Sequence, residues 1–483
     1  MLYTGIALLI SIIPWALGVA MLVSLLYQTG RWRLEHHLFI IGSAAYIGYL
    51  WLALLMAGIQ WSAVPVFSDW LLAWMALSIV ICWSLGRFLP LVLEKSDVRT
   101  QSSAFQRIEE QDDHWWLNIG LSIWLLAVVV SVFWEVAFRP AVAWDTITFW
   151  AAHGRRFLLG QLDTGDLSTM SNSQHPAIIK YVGAWGAFAI YERSASYLYL
   201  PWATLYIGTI SACVGLGKLL SGRWWVGLIS ALLMASSPLI QAHSALGGYA
   251  DLWLGAGLFL SLAWLAAATS RTFQAKAVLI VLISLLITSL AFLKSNSVVY
   301  SIVLCGSMLS AWVYIKWQWR AVLGVISVGV LAVLWVWNNG ADWSFAGYQL
   351  AFQPEERLLV AGQERLTIAS NNWMDVGRNF WHVWVLSSSF YLTGVMGIVF
   401  FVLLLLKKMP RRDWLMLTGV LVLVGLVGLL GLVQLLNDEI LFATGTFERD
   451  VTLSRVSQVT HFALTFCVMA LVARTCKLAD QSR

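Results

Sequence analysis

Long apolar runs alternate with short polar segments along the whole chain. A hydrocarbon core of about 30 Å requires about 20 apolar residues in a helix. Thirteen runs approach this length and predict membrane-spanning helices: 2–27, 38–58, 67–93, 115–138, 195–218, 224–241, 251–268, 277–293, 297–315, 321–338, 382–406, 414–436 and 457–473. The pattern therefore predicts an all-α, polytopic integral membrane protein.

The composition favours the same class. Only 11% of the 483 residues are charged, 60% are hydrophobic, and the mean hydropathy is +0.76. Soluble domains have about 25% charged residues and could not cover so much apolar surface. These values exclude a cytosolic enzyme, a disordered chain and a nucleic-acid-binding protein with a basic face. The five cysteines show no spacing typical of disulfide frameworks or metal sites.

Basic residues predict the orientation of the spans. Of the 30 Lys and Arg residues, 19 lie in one set of alternate loops and 11 in the other, longer set. Cytoplasmic loops are enriched in Lys and Arg, so the first set is predicted to be cytoplasmic. The N-terminus is then outside and the C-terminus inside. We expect a multi-pass protein of the plasma membrane, which in a bacterium is the inner membrane.

Polar segments divide the chain into five parts. Residues 1–93 hold three spans, and the polar segment 94–114 is predicted to be a cytoplasmic linker. A membrane core follows over residues 115–338. Residues 339–381 are predicted to form a soluble insertion on the outer face, and residues 382–483 hold the C-terminal spans.

The outer loop 139–194 is too long for a simple turn. Within it, residues 146–162 carry apolar side chains at helical spacing with Arg155 and Arg156 opposite, which predicts an amphipathic helix in the membrane interface. The apolar stretch 177–191 is short for a span, and a span there would invert the charge asymmetry of every later loop. It is therefore predicted to be a juxtamembrane or re-entrant helix.

Three ionisable residues lie at the outer ends of predicted spans. Asp145 follows the fourth run, Asp251 separates the sixth and seventh, and Lys294 separates the eighth and ninth. Ionisable groups at membrane depth are costly and tend to be functional. Together they could bind an anionic lipid head group and activate a hydroxyl. The first outer loop adds His153, Arg155, Arg156, His175 and Lys180.

Each candidate also has a purely structural interpretation. Asp145 and Asp251 could cap the helices that follow them. Lys294 could extend its ammonium group to the lipid head groups. Trp144 and Trp150 could anchor the chain at the interface, and stacking on a sugar is the functional alternative.

The order of these residues resembles the GT-C superfamily of membrane glycosyltransferases. This superfamily includes the lipid A aminoarabinose transferases, the protein O-mannosyltransferases and their bacterial relatives. Asp145 corresponds to the acid of the family's first outer loop, and His175 with the following proline to the first half of its Pro-Pro motif. Asp251 corresponds to the acid of the next outer loop, and Lys294 to the lysine of a Lys-Gly turn. The resemblance covers roughly residues 115–320.

Three positions depart from the family pattern. Thr146 stands where a second acid is frequent, Ala177 replaces the second proline, and Ser295 follows the lysine in place of glycine. The resemblance therefore implies membership of the broad superfamily and leaves the subfamily open.

The resemblance implies a GT-C-like fold and transfer of a sugar from a polyprenyl-phosphate donor to a glycan, lipid or protein acceptor on the outer face, with inversion. Asp145 would be the catalytic carboxylate, and Asp251 a second acid or a ligand of the acceptor or a metal. Trp144 and Trp150 would stack on the sugar. The donor phosphate would be bound by Lys294, Arg155, Arg156 and His175.

The implied partners are the donor lipid, the acceptor and membrane lipids, without nucleic acid. No cofactor is required by this chemistry, although a divalent metal is compatible with the carboxylates. The sugar, the acceptor, the length of the lipid and the oligomeric state are left open by the sequence.

Three other functions compete with this interpretation. A secondary transporter or lipid-linked glycan flippase would need midplane ionisable residues and internal repeats, and neither is evident in the sequence. An O-antigen polymerase or ligase would have a large outer loop late in the chain, for which residues 339–381 are the candidate. In a non-catalytic scaffold, Asp145, Asp251 and Lys294 would only cap helices or reach to head groups.

The predicted topology can be tested by cysteine labelling. Asp163→Cys lies in the first outer loop and Ser103→Cys in the predicted linker. A membrane-impermeant thiol reagent should label position 163 in intact cells and position 103 only after permeabilisation. Labelling of position 163 from the cytoplasm alone would contradict both the topology and the outer site.

Overall fold

The computed structural model describes residues 2–26, 34–61, 69–93, 114–138, 177–190, 200–246, 250–269, 276–293, 298–345, 348–356, 358–361, 364–367, 378, 381, 391–406, 413–436 and 446–481. Eight helices among them are long and apolar enough to cross a membrane, or nine if one bent pair counts as a single span. The protein is therefore a helical, multi-pass membrane protein, as the apolar runs predict. The predicted helix 146–162 and nearly all of the linker 94–114 lie outside the described residues.

Fourteen helices form the described part of the bundle. In chain order they are α1 (Leu2–Leu26), α2 (Leu34–Trp61), α3 (Asp69–Leu93), α4 (Trp115–Phe138), α5 (Ala177–Ile190), α6 (Leu200–Ser221), α7 (Trp224–Ala235), α8 (Pro238–Leu246), α9 (Ala250–Thr269), α10 (Lys276–Ala291), α11 (Val298–Asn339), α12 (Tyr391–Leu406), α13 (Trp414–Leu436) and α14 (Thr446–Gln481). Most begin and end within a few residues of the predicted runs.

Helices α2 and α6 pack closely against each other. A Cβ atom added at Gly42 would come within 2.3 Å of the Ala212 nitrogen, and one added at Gly215 within 2.5 Å of the Phe39 nitrogen. Small residues let two backbones approach closely, which stabilises helix association in hydrocarbon. The same helix α2 carries Tyr46 into contact with Trp253 of α9, so the N-terminal spans are part of the core.

The packing partners define two ends of the bundle. Helices α9 and α14 run parallel, since Gly255 lies against Phe462 and Phe259 lies against Phe466. The first turn of α9 marks one end, which we call the Asp251 end. The opposite end, called the basic end, carries Arg87, Lys218, Arg223, Lys316 and Arg474. The described helices thus follow the predicted alternation of loops, and the assignment of the basic end to the cytoplasm rests on the charge count.

Helix α11 departs from the prediction of two spans, 297–315 and 321–338, joined by a cytoplasmic turn. The structure has one continuous helix of 42 residues, about 63 Å long and twice the hydrocarbon thickness. The residues 316–320 are Lys, Trp, Gln, Trp and Arg, none of which breaks a helix. The outer position predicted for residues 339–381 assumed that turn and so loses its basis.

The insertion contains a small sheet that the all-α prediction omits. Strands β1 (Ala341–Phe345), β2 (Tyr348–Gln353), β3 (Leu358–Ala361) and β4 (Glu364–Thr367) form an antiparallel meander in the order β1-β2-β3-β4. Phe345 pairs with Tyr348 and Ala361 pairs with Glu364. Two residues, one of them glycine, separate the strands at both turns. Such spacing favours hairpins, and it is the sequence pattern that could have predicted the sheet.

The predicted span 224–241 is broken. Helices α7 and α8 meet at Ser236 and Ser237 with a bend of 69°. Pro238 begins α8 and has no N–H to continue the hydrogen-bond ladder of α7. Helix α8 therefore continues in a direction 69° away from that of α7.

Helix α5 has the short length predicted for it. Its fourteen residues extend about 21 Å, which is less than a hydrocarbon core. The indole Nε1 of Trp185 donates a hydrogen bond of 3.1 Å to the carbonyl oxygen of Ile10 in α1. This contact seats α5 against α1 in the half of the bundle nearer the Asp251 end.

Two glycines of α2 offer a matched test of the α2–α6 contact. Gly42→Ala should lower the free energy of unfolding by about 1–3 kcal/mol, because its methyl group would overlap the backbone of α6. Gly58→Ala has open space around the new methyl group and should be neutral or slightly stabilising. Thermal unfolding in detergent measures both, and equal midpoints for the two variants would contradict the close packing.

Candidate functional site

Asp251 is the only residue with a predicted role in catalysis or substrate binding that lies among the described residues; Lys180, a further candidate, lies in α5. Asp251 is the second residue of α9, and 3% of its surface is exposed. The other candidates lie outside the described residues: Trp144, Asp145, Trp150, Arg155, Arg156, His175 and Lys294.

Asp251 lies inside the first turn of α9 and not at the residue preceding the helix. The N–H groups of that turn favour a negative charge, so the helix itself stabilises the carboxylate. Tyr300 of α11 is 5% exposed and lies close enough to interact electrostatically with Asp251. Helix α10 ends and α11 begins at this same end, and the segment that joins them in the sequence contains Lys294.

The carbonyl groups at the end of α7 are paired by side chains from other helices. The carbonyl oxygen of Ala235 accepts hydrogen bonds from the Tyr206 hydroxyl at 3.1 Å and from Gln241 Nε2 at 2.8 Å. The Leu233 carbonyl oxygen faces His461 Nε2 of α14 at 3.2 Å. The broken helix is thus held by α6, α8 and α14 together.

His461 links three helices within the bundle. It is fully buried, and its Nδ1 lies 2.7 Å from the Thr393 hydroxyl oxygen of α12. Because a carbonyl can only accept, Nε2 donates to Leu233. In the neutral ring, Nδ1 then accepts the hydroxyl hydrogen of Thr393. Both ring nitrogens therefore have partners, and the geometry fixes the tautomer.

Several buried polar atoms near the break have no partner among the described residues. Gln458 of α14 is 0% exposed, and neither its Nε2 nor its Oε1 has a hydrogen-bond partner there. The hydroxyls of Ser237 and Thr460 are also buried and unpartnered within this part of the chain. Buried polar atoms are nearly always paired, so these atoms indicate an interaction beyond the described residues.

The sequence interpretation missed the residues of this polar layer. Gln458 and His461 stand three positions apart in the predicted span 457–473, which places them on the same face of one helix. Ser236, Ser237 and Pro238 interrupt another run. Polar residues inside a predicted span are as informative as ionisable residues at its ends. Attention to them would have identified both the polar positions of α14 and the break between α7 and α8.

The described residues hold no group of three or more His, Cys, Asp or Glu side chains arranged to bind a metal ion. Asp145 is outside this part of the chain, and a divalent metal bound by Asp251 stays a prediction.

Comparison with known protein families, curated proteins and solved structures finds no match to this chain. The likeness to GT-C enzymes therefore rests on the order of the sequence motifs.

His461 offers a direct test of how the break is held. His461→Leu should lower the free energy of unfolding by about 1–3 kcal/mol, because the buried Leu233 carbonyl loses its donor. Thr465→Val is the matched control: its hydroxyl bonds only within α14, to the His461 carbonyl oxygen. Adding Thr393→Val to His461→Leu should cost little more. A His461→Leu variant as stable as Thr465→Val would contradict this role.

Proposed function

We propose that this protein is a glycosyltransferase. It would move a sugar from a polyprenyl-phosphate donor to an acceptor on the outer face of the membrane, with inversion at the anomeric carbon. The apolar spans provide a surface for the isoprenoid chain, and the sugar is transferred where polar residues meet the end of the bundle. A role in assembling a cell-envelope glycan fits this chemistry.

One observation supports the proposal most: the enclosed carboxylate of Asp251. It lies in a helical first turn and interacts electrostatically with Tyr300, and the stretch of sequence that joins α10 to α11 contains Lys294. A negative and a positive group at one end of a membrane bundle suit a reaction between an acceptor hydroxyl and a lipid phosphate. Asp145, in the first outer loop, completes the proposed set.

The proposed step is a single displacement. A carboxylate, proposed to be Asp145, takes the proton of the acceptor hydroxyl as its oxygen forms a bond to the anomeric carbon. The bond between that carbon and the phosphate oxygen breaks, and polyprenyl phosphate leaves with the electron pair. Lys294, Arg155 and Arg156 would stabilise the charge on the leaving phosphate. Asp251 would orient the acceptor, directly or through a metal.

A transporter or lipid-linked glycan flippase is the second candidate, and one observation favours it. Transporters commonly bind their substrates at broken helices whose ends face polar groups. The α7–α8 break and the buried His461 have this character. A flippase would move the glycolipid between leaflets of a liposome without any acceptor, whereas a transferase would release polyprenyl phosphate only when an acceptor is present.

The remaining alternatives have less support. A polymerase or ligase was suggested by a late outer loop over residues 339–381, and the continuous α11 removes the turn on which that position depended. A non-catalytic scaffold would not require the buried carboxylate of Asp251.

The catalytic carboxylates can be tested by neutral substitutions. Asp145→Asn should reduce sugar transfer by the purified protein at least about a hundredfold while folding and donor binding persist, because the base is lost. Asn caps a helix about as well as Asp, so a capping role alone predicts little change. Asp251→Asn should also reduce transfer.

Asp69→Asn is the matched control for both variants. Asp69 is also in the first turn of a helix that starts at the Asp251 end, but its side chain is exposed. Its variant should transfer sugar at the parent rate. Near-normal turnover of Asp145→Asn would leave Asp251 as the candidate base, and near-normal turnover of both would contradict the proposed mechanism.

A further inference from the structure

The carboxamide of Gln458 is the most conspicuous polar group that the proposed reaction does not use. It is 0% exposed, and both its donor and its acceptor atom lack partners among the described residues. An unpaired buried polar atom costs about 1–3 kcal/mol, so two of them in one side chain would be a substantial loss of stability without a ligand.

Helix register places Gln458 level with Asp251. Helices α9 and α14 are parallel, and Gly255 and Phe259 lie against Phe462 and Phe466. Asp251 is four residues before Gly255 on α9, and Gln458 is four residues before Phe462 on α14. The two side chains therefore belong to one layer of the bundle, each on the side of its helix that turns toward the other within about 60°.

The same layer contains the break between α7 and α8. His461, one turn from Gln458 on α14, is hydrogen-bonded to Leu233 near the end of α7. Gln458 on α14 and Ser237 after α7 both lie closer to the Asp251 end than the contact between His461 and Leu233. Helix α8 also packs against α14. Gln458 thus lies at the level of the break and on the side of α14 that faces it.

The N-terminus of α8 lies at this level, where Ser237 is buried, Pro238 is exposed and Leu239 is half-buried. The Gln241 nitrogen bonds to the Ser237 carbonyl oxygen at 3.0 Å, so Ser237 is the residue that precedes the helix. Its hydroxyl would ordinarily accept from an N–H of the first turn, yet it has no partner among the described residues. Leu239 and Ile240 are in that first turn, where N–H groups have no partner within the helix.

We propose that Gln458, Ser237 and the first turn of α8 form a subsite for two adjacent hydroxyl groups of a sugar. A primary carboxamide can accept from one hydroxyl at Oε1 and donate to its neighbour from Nε2. Ser237 and the N–H groups of α8 supply further donors. The inference rests on the proposed function, because it assigns the position of the sugar of the lipid-linked substrate.

The chemistry favours hydroxyl groups over a phosphate or a metal ion. The carboxylate of Asp251 lies in the same layer and would repel an anion. A cation would need several oxygen ligands, and the described residues show no cluster that supplies them. Neutral hydroxyl groups can donate to the carboxamide oxygen and accept from its nitrogen. They can also donate to the carboxylate of Asp251.

The test measures lipid binding to the purified protein in nanodiscs. The probes are short-chain polyprenyl phosphates that carry a hexose, a pentose or an N-acetylhexosamine, together with the sugar-free polyprenyl phosphate. Gln458→Leu should weaken binding of the sugar-bearing lipid that the parent prefers by about tenfold or more, through two lost hydrogen bonds. Binding of the sugar-free lipid should not change. Ser237→Ala should weaken only the sugar-bearing lipid, to a smaller extent.

Thr460→Val is the matched control. Thr460 is also buried, and its hydroxyl is unpartnered among the described residues, but it is two positions from Gln458 and so faces another direction. This variant should bind every probe as the parent does. Both Gln458→Leu and Thr460→Val should be as stable as the parent or more so. Gln458→Met provides a second variant if the leucine variant does not fold.

The subsite is overturned if Gln458→Leu or Gln458→Met binds the sugar-bearing lipid as the parent does. It is also overturned if both variants are strongly destabilised, or if the parent prefers no sugar-bearing lipid to the sugar-free one. The proposed reaction fails separately. Sugar-dependent binding that is lost in Gln458→Leu, with no transfer by the parent to any acceptor, would retain the subsite and reject the transferase.

Discussion

Every peptide group inside a hydrocarbon layer needs a hydrogen-bond partner, because no water is present to replace one. This constraint governs the Asp251 end of the bundle. The span that contains Pro238 cannot continue as one helix, so the carbonyls at the end of α7 need donors from elsewhere. Tyr206, Gln241 and His461 provide them. The positions of α6, α8 and α14 are therefore tied to a single interruption of the backbone.

The polar layer is supported by tightly packed apolar and aromatic side chains. Trp253 of α9 is two residues after Asp251. Its ring makes edge contacts with the rings of Tyr49 in α2 and Trp202 in α6. All three rings are nearly completely buried. Helices α2 and α6, which carry two of these rings, also approach closely at their glycines. A rigid wall of this kind can hold a carboxylate in one position while loops and lipids move around it.

Much of the fold could be predicted from hydrophobicity alone, because the length of a span is dictated by the thickness of the membrane. The distribution of Lys and Arg predicts which ends of the spans are cytoplasmic, and this orientation stays a prediction. The break at Ser237 and the continuity of α11 could not be predicted from run lengths, since both depend on local hydrogen bonding and helix propensity. Within the candidate site, only Asp251 stood out in the sequence. His461 and Gln458 acquire their meaning from partners more than 200 residues away or from the lack of any partner among the described residues.

The hydrogen bond between His461 and Leu233 also has a consequence for biosynthesis. Its partners are 228 residues apart, so at ordinary rates of synthesis the end of α7 waits about 10–45 s for its donor to emerge from the ribosome. During that interval the broken helix has an unmet carbonyl and cannot be stable in lipid on its own. The insertion machinery or a membrane chaperone would have to shelter it until the last helix arrives. Nascent chains that lose their C-terminal helix should therefore be recognised as unfinished and degraded.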